Sequence, residues 1–327
     1  MCSAAPGCYT QAMLISTSHA AFPDSTASAE GMRVIAGRED GRNVFVHLDV
    51  EYAVKDDRPL RLIILQPSVD GATATQEQID AERFPLIVYV QGSGWGEQLL
   101  GACLDPLTTF AHRGYVIAIV EYRPSSVARF PAQIADAQTA TRWLLQHACG
   151  YHIDPGRVAI WGDSSGGHTA LMCALGAGDD GLTDEPGSEA LPFRACVDFY
   201  GPTALDLMDS QPTTINHNGP GSPETALLGV ETLEEAPDLV RRADPRTYLR
   251  PGQVLPGFFI AHGSRDRAVP FHQSVLIYEA LRAAGHTAEL VQVKAAGHGG
   301  PTFWTPELMD LVDGFLEQHL TRVDDPR

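Results

Sequence analysis

The chain has 327 residues, of which 44% are hydrophobic and 20% charged, with a formal net charge of -18 at pH 7. That is enough apolar chain for a sizeable core, either as one large α/β domain with insertions or as two modest domains. The acidic balance excludes nucleic acid and anionic membrane surfaces, which need basic patches, and suits neutral or weakly charged small molecules.

Residues 1–30 read as a loose arm, rich in Ala, Ser and Thr, with no Lys or Arg in the first 25 positions. The apolar stretch Ala12 to Ile15 is too short for a secretory signal core, and no apolar run approaches a membrane-spanning length. The six cysteines, Cys2, Cys8, Cys103, Cys149, Cys173 and Cys196, are scattered without a C-x-x-C pair or metal-ligand spacing. They read as reduced, mostly buried thiols, which places the expected setting in the cytoplasm.

Residues 44–54 alternate apolar and polar side chains, the pattern of a half-buried strand. A turn at Asp56 to Pro59 leads to a partner strand over 60–66. Residues 68–83 are polar and read as a surface loop. Phe84 to Val90 is nearly all apolar, which predicts a central strand buried on both faces. Gln91-Gly92-Ser93-Gly94-Trp95 follows directly. A helix over 104–112 ends at Gly114, and residues 115–121 form the next strand. Apolar residues recur every three or four positions across 131–148, predicting an amphipathic helix. Asp154-Pro155-Gly156 reads as a turn.

The run from Val158 to Ile160 leads into Trp161-Gly162-Asp163-Ser164-Ser165-Gly166, a G-x-S-x-G sequence between an apolar strand and a small-residue helix over 166–177. Glycines flank the serine because such a turn is sharp and backbone passes close to it. Residues 195–200 form a further strand. Residues 201–252 break the rhythm with many Pro, Asn, Gly and Thr residues and a helical piece near 224–242, and read as a lid inserted over the strand ends. The alternation resumes with strands 257–262 and 288–294 and helices 271–284 and 306–320. Strands alternating with helices predict a mostly parallel sheet covered on both faces, in a single domain over 31–327.

Ligands of such sheets bind at the carboxyl ends of the strands. Ser164, Asp266 and His298 each fall just after a strand, in that chain order. In these roles His298 accepts the serine proton and returns it to the leaving group, while Asp266 fixes the imidazole tautomer. The backbone N–H of Ser165 and the loop Gly92-Ser93-Gly94 are the expected oxyanion donors. Asp198, at the end of the preceding strand, is the rival acid. His262 and His168 are the nearest competitors for the base, and both read better as structural groups. Gln91, which can hold the loop by hydrogen bonding, and Trp95 are the expected substrate-binding residues, although a tryptophan there serves equally as core.

With these residues in view, the chain resembles an α/β-hydrolase of the carboxylesterase type. It is closest to bacterial esterases, hormone-sensitive-lipase-like enzymes and the bifunctional feruloyl and acetyl-xylan esterases. The matching pieces are Gly162 to His168, His262 to Asp266 with Val269-Pro270, and Gly297 to Gly300. Phe130-Pro131, Asp136, Trp143, Asp154-Pro155 and Arg157 support them. The resemblance spans about residues 60–320. It departs at the oxyanion loop, where the family usually carries His-Gly-Gly-Gly-Trp. Ser93 puts a side chain where glycine lets backbone approach substrate, and its hydroxyl is expected to assist the oxyanion. The resemblance implies a serine carboxylesterase for small or aromatic acyl esters, such as feruloyl, caffeoyl (chlorogenate-type) or acetyl esters, with no cofactor or metal. A prolyl-oligopeptidase-type peptidase shares the triad order but normally needs a propeller longer than the stretch before residue 84. An arylformamidase and a catalytically dead binding module remain as other readings. A homo-oligomer is left open.

Overall fold

A computed structural model describes residues 23–36, 42–69, 76–250 and 252–321. Residues 1–22 of the expected arm lie outside these, and residues 23–36 are exposed and carry no helix or strand. The elements run β1 (Val44–Lys55), β2 (Arg58–Pro67), α1 (Gln76–Ala81), β3 (Phe84–Val90), α2 (Leu104–His112), β4 (Val116–Val120), α3 (Ala132–Gln146), β5 (Ile153–Asp163), α4 (Ser165–Leu175), β6 (Phe193–Phe199), α5 (Pro223–Leu228), α6 (Pro237–Arg242), β7 (Gly257–Gly263), α7 (His272–Ala283), β8 (Ala288–Val293) and α8 (Pro306–Leu320). One eight-stranded sheet has the order β1-β2-β4-β3-β5-β6-β7-β8. β1 and β2 pair antiparallel, as do β2 and β4, and all later pairs are parallel. This is the mostly parallel sheet that the strand and helix alternation predicts, arranged in the α/β-hydrolase fold that the resemblance implies.

The two faces of the sheet sort by strand parity. Leu86, Val88 and Val90 of β3 face one core with Val158, Ile160, α3 and α4. Ile87 and Tyr89 face the other, with Ala159, Trp161, α2 and α8. Both faces are apolar because helices cover both, so the central strands show no polar alternation. β1 is different. It lies at the sheet edge, its only fully buried side chain is Tyr52, and Val46, Leu48 and Val54 are exposed.

Three expectations change. The loop over 68–83 contains the short helix α1. Asp154, Pro155 and Gly156 lie inside β5, beside a register irregularity against β3, and not in a separate turn. Cys149 is disulfide-bonded, so the reading of all the cysteines as reduced thiols fails, and the inference of a cytoplasmic setting loses its premise. Cys173 and Cys196 are buried and free, as expected, and Cys103 is free and half-buried. Among the described residues, no helix is long and apolar enough to cross a membrane.

Candidate active site

Ser164 sits between the end of β5 and the start of α4 at φ 53°, ψ -126°. The sequence permits this turn because its flanking positions lack side chains. A Cβ on Gly162 would strike the Gly166 carbonyl, and one on Gly166 would strike the Val90 carbonyl at the end of β3. The Ser164 N–H donates to Phe199 O at 2.8 Å, tying the turn to β6.

From this turn a continuous hydrogen-bonded path runs across the sheet rim. Ser164 Oγ lies 2.8 Å from His298 Nε2. His298 Nδ1 lies 2.7 Å from Asp266 Oδ2, so the Nδ1–H donates and Nε2 is free to accept from the serine hydroxyl. Asp266 Oδ1 accepts the N–H groups of Ala268 and Val269 at 2.8 and 2.9 Å. The loops after β7 and β8 are pressed together: the Arg265 N–H donates to Ala296 O at 2.9 Å and the Ala295 N–H donates to Ser264 Oγ at 2.8 Å. Burial opposes ionisation of Asp266, but hydrogen bonds from His262 and His298 and their charge outweigh it, leaving the carboxyl well below the usual carboxylate range.

The competitors fall elsewhere. Asp198 is buried, and its Oδ1 accepts the Gly201 N–H at 3.0 Å, away from His298. Burial pushes its carboxyl up to about 7. His262 bonds Ser274 Oγ and Val269 O and braces Asp266 at 3.3 Å, a structural role. His168 donates to Ala243 O from the interior, and burial lowers its pKa to about 4.

The loop after β3 departs in part from expectation. The Gly92 N–H donates to Asp163 Oδ1 at 3.0 Å and the Ser93 N–H to Ser165 Oγ at 2.9 Å. Among the described residues, the N–H of Gly94 and that of Ser165, at the first position of α4, have no acceptor. The Ser93 hydroxyl is not an oxyanion donor in this arrangement. It donates to Gly96 O at 2.8 Å and lies 2.8 Å from the Tyr122 hydroxyl, so it staples the loop internally. Gln91 holds the loop as expected, through Nε2 to Leu99 O at 2.8 Å. Trp95 is a correction. It is buried in the core against His168 and does not line the cleft.

The cleft over Ser164 has a volume of about 730 Å³. One wall is Ala102, Cys103, Asp105 and Pro106; the other is Gly299 to Pro301 and Trp304, with Tyr200 beside His298. Tyr200 has φ 44°, and its ring meets the His298 ring edge-on at 4.9 Å. Among the described residues, none that lines the cleft comes from 201–252, and none is Lys or Arg. Sequence reading missed Tyr200, Asp105 and Trp304 as cleft residues. Tyr200 carried a signal, since it directly follows an apolar strand at the carboxyl edge. Trp304 and Asp105 carried none. Among the described residues no group of His, Cys, Asp and Glu is arranged to hold a metal ion.

Fold and site together define an α/β-hydrolase of the carboxylesterase type. The family model described as BD-FAE matches residues 75–281, more than half of the chain, and the chain belongs to that family. It is similar to esterase LipQ of Mycobacterium tuberculosis, 29% identical over 208 residues, which cover 62% of this chain and 47% of that protein. Among solved structures it resembles a truncated carbohydrate esterase from gut microbiota, with TM-score 0.71 and 26% identity over 87% of this chain and 99% of that one. It also resembles a bifunctional GH43-CE protein of Bacteroides eggerthii, with TM-score 0.70 and 27% identity over 86% of this chain and 38% of that one. The chain spans about half the length of the first curated relatives it matches.

Proposed function

We propose that this protein is a serine carboxylesterase that works through an acyl-enzyme. The observation that carries the reading is the unbroken path from Ser164 through His298 to Asp266 on the floor of an open cleft. Ser164 Oγ attacks the ester carbonyl carbon while His298 Nε2 takes its proton. The carbonyl oxygen becomes an oxyanion facing the N–H groups of Ser165 and Gly94, with the loop 92–94 as its cradle. The tetrahedral species collapses, the alcohol leaves with the proton from His298, and Ser164 holds the acyl group. Water then attacks, His298 again serves as base, and the carboxylic acid departs.

The favoured substrates are small or aromatic acyl esters, with hydroxycinnamoyl and acetyl esters first. Membership of the BD-FAE family, the carbohydrate esterase among the structural neighbours, and the rings of Tyr200 and Trp304 at the cleft support this choice. The domain reading is one hydrolase domain. Within it we assign acyl and alcohol selection to the walls 102–106 and 299–304, and a buttressing role to the insertion 201–252. The test is turnover of p-nitrophenyl acetate, butyrate and octanoate and of methyl ferulate, with fluorophosphonate labelling. Ser164→Ala is expected to abolish both turnover and labelling while leaving the fold intact. Absence of both in the wild-type protein would overturn the esterase reading.

A further inference from the structure

Two buried ionisable side chains in the insertion have no part in the path above. Glu224, near the start of α5, is 3% exposed, and His217 is 2% exposed. A buried carboxylate beside a buried imidazole is costly unless both are paired. Here His217 Nδ1–H donates to Glu224 Oε1 at 2.9 Å, and the His217 N–H donates to Asp209 Oδ1 at 3.0 Å. The other ring nitrogen, Nε2, lies 3.1 Å from Thr213 Oγ1. The Thr213 hydroxyl in turn faces the carbonyls of Arg267 and Ala268, at 3.0 and 3.3 Å.

The hydroxyl has one proton to give. If it donates to the Arg267 carbonyl, it must accept from His217, which then carries protons on both nitrogens. Burial opposes that charge, but Glu224, with Asp209 behind it, raises the imidazole above its ordinary range.

The Arg267–Ala268 peptide unit is where this cluster meets the active site. Its carbonyl also accepts from the Thr214 N–H at 2.8 Å and the Thr214 hydroxyl at 3.1 Å. Its N–H is the Ala268 N–H that donates to Asp266 Oδ1. One peptide therefore takes hydrogen bonds from the insertion on one side and holds the triad carboxylate on the other. At the same end of α5, Pro223 packs on the oxyanion loop, where a Cβ on Gly94 would lie 3.4 Å from Pro223 Cβ.

We propose that Glu224 and His217, acting through Thr213, are positioning residues that fix the Asp266 loop and thereby the orientation of His298. The proposal rests on the esterase reading only for its kinetic arm. Thr213→Val keeps shape and removes the hydroxyl. It is expected to lower kcat for p-nitrophenyl acetate about tenfold with KM changed by less than about twofold, since a small misorientation of the base slows chemistry more than binding. It is also expected to shift and broaden the low-field proton resonance of the His298 Nδ1–H shared with Asp266. Thr213→Ser, which restores the hydroxyl, is expected to restore both. Glu224→Gln, which keeps the acceptor and removes the charge, gives the same readings if Thr213→Val does not fold. A folded Thr213→Val or Glu224→Gln protein with the wild-type resonance would overturn the proposal. Because that resonance needs no turnover, a wild-type protein that hydrolyses no ester refutes the esterase reading and still leaves the positioning role decided by the spectrum.

Discussion

Ser164 holds a backbone conformation that side-chain-bearing residues rarely adopt, at a cost of about 1–3 kcal/mol. The surrounding structure sustains it, because Gly162 and Gly166 admit close backbone contacts on both sides. Charge is handled just as locally. Asp266, just after β7, and Asp198, inside the neighbouring β6, both end up buried, yet their pKa values move in opposite directions. Asp266 meets two histidines and two N–H groups, whereas Asp198 Oδ1 meets one N–H and its Oδ2 has no partner among the described residues. For Asp198 the folded protein holds the proton up to about 7, against about 3.9 in the unfolded chain. Its contribution to stability is therefore complete below the unfolded value and is lost as pH rises through about 7. Asp198→Asn keeps an acceptor for the Gly201 N–H and has no such loss. Melting temperatures measured between pH 5 and 8 are expected to show the variant gaining on the wild type as pH rises, and a gap independent of pH would refute this.

At the scale of elements, the loop after β3, proposed to cradle the oxyanion, is short and depends on its own internal bonds. Ser93 links Gly96 O and the Tyr122 hydroxyl, while Gln91 reaches Leu99 and Gln98 reaches back to the carbonyls of Gln91 and Val120. A serine in the second glycine position is tolerated because its side chain turns into the loop and away from the oxyanion. Ser93→Ala is thus expected to cost about 1–2 kcal/mol of stability and to lower kcat by less than about tenfold. A direct oxyanion donor would cost roughly 100- to 1000-fold. Chemical denaturation and steady-state kinetics separate the two outcomes. The elements themselves were largely legible in the chain. β3, α2 and α8 have the expected bounds, because continuous apolar runs and three-and-four spacing report burial directly. α1 was not legible, since a single turn and a half of polar helix has no periodicity to read. The helical piece near 224–242 is two short helices with a 3₁₀ turn at Leu233–Glu235 between them, each helix starting at a proline.

Across the whole molecule, the acidic balance extends into the cleft, where Asp105 and Asp163 line the walls and, among the described residues, no Lys or Arg does. An anionic ester approaches against this field, which salt screens. Neutral esters such as methyl ferulate are therefore expected to outrun carboxylate-bearing ones such as chlorogenate in kcat/KM. The ratio is expected to narrow in high salt and in Asp105→Asn. A ratio indifferent to both would show that the field does not select.

The triad order, the serine elbow and the parallel sheet were determined by the sequence alone. Each depends on local facts: a glycine-flanked serine after an apolar run, and polar groups placed just beyond strand ends. The partner of each polar group was decided only by the tertiary structure. Asp266 and not Asp198 meets His298, because the loops after β7 and β8 are pinned together by the Arg265 and Ala295 N–H groups. Trp95 turns into the core while Trp304 lines the cleft, and Glu224 finds His217 inside the insertion. Such pairings join positions far apart in the chain, and no spacing in the sequence encodes the direction in which a side chain leaves its loop.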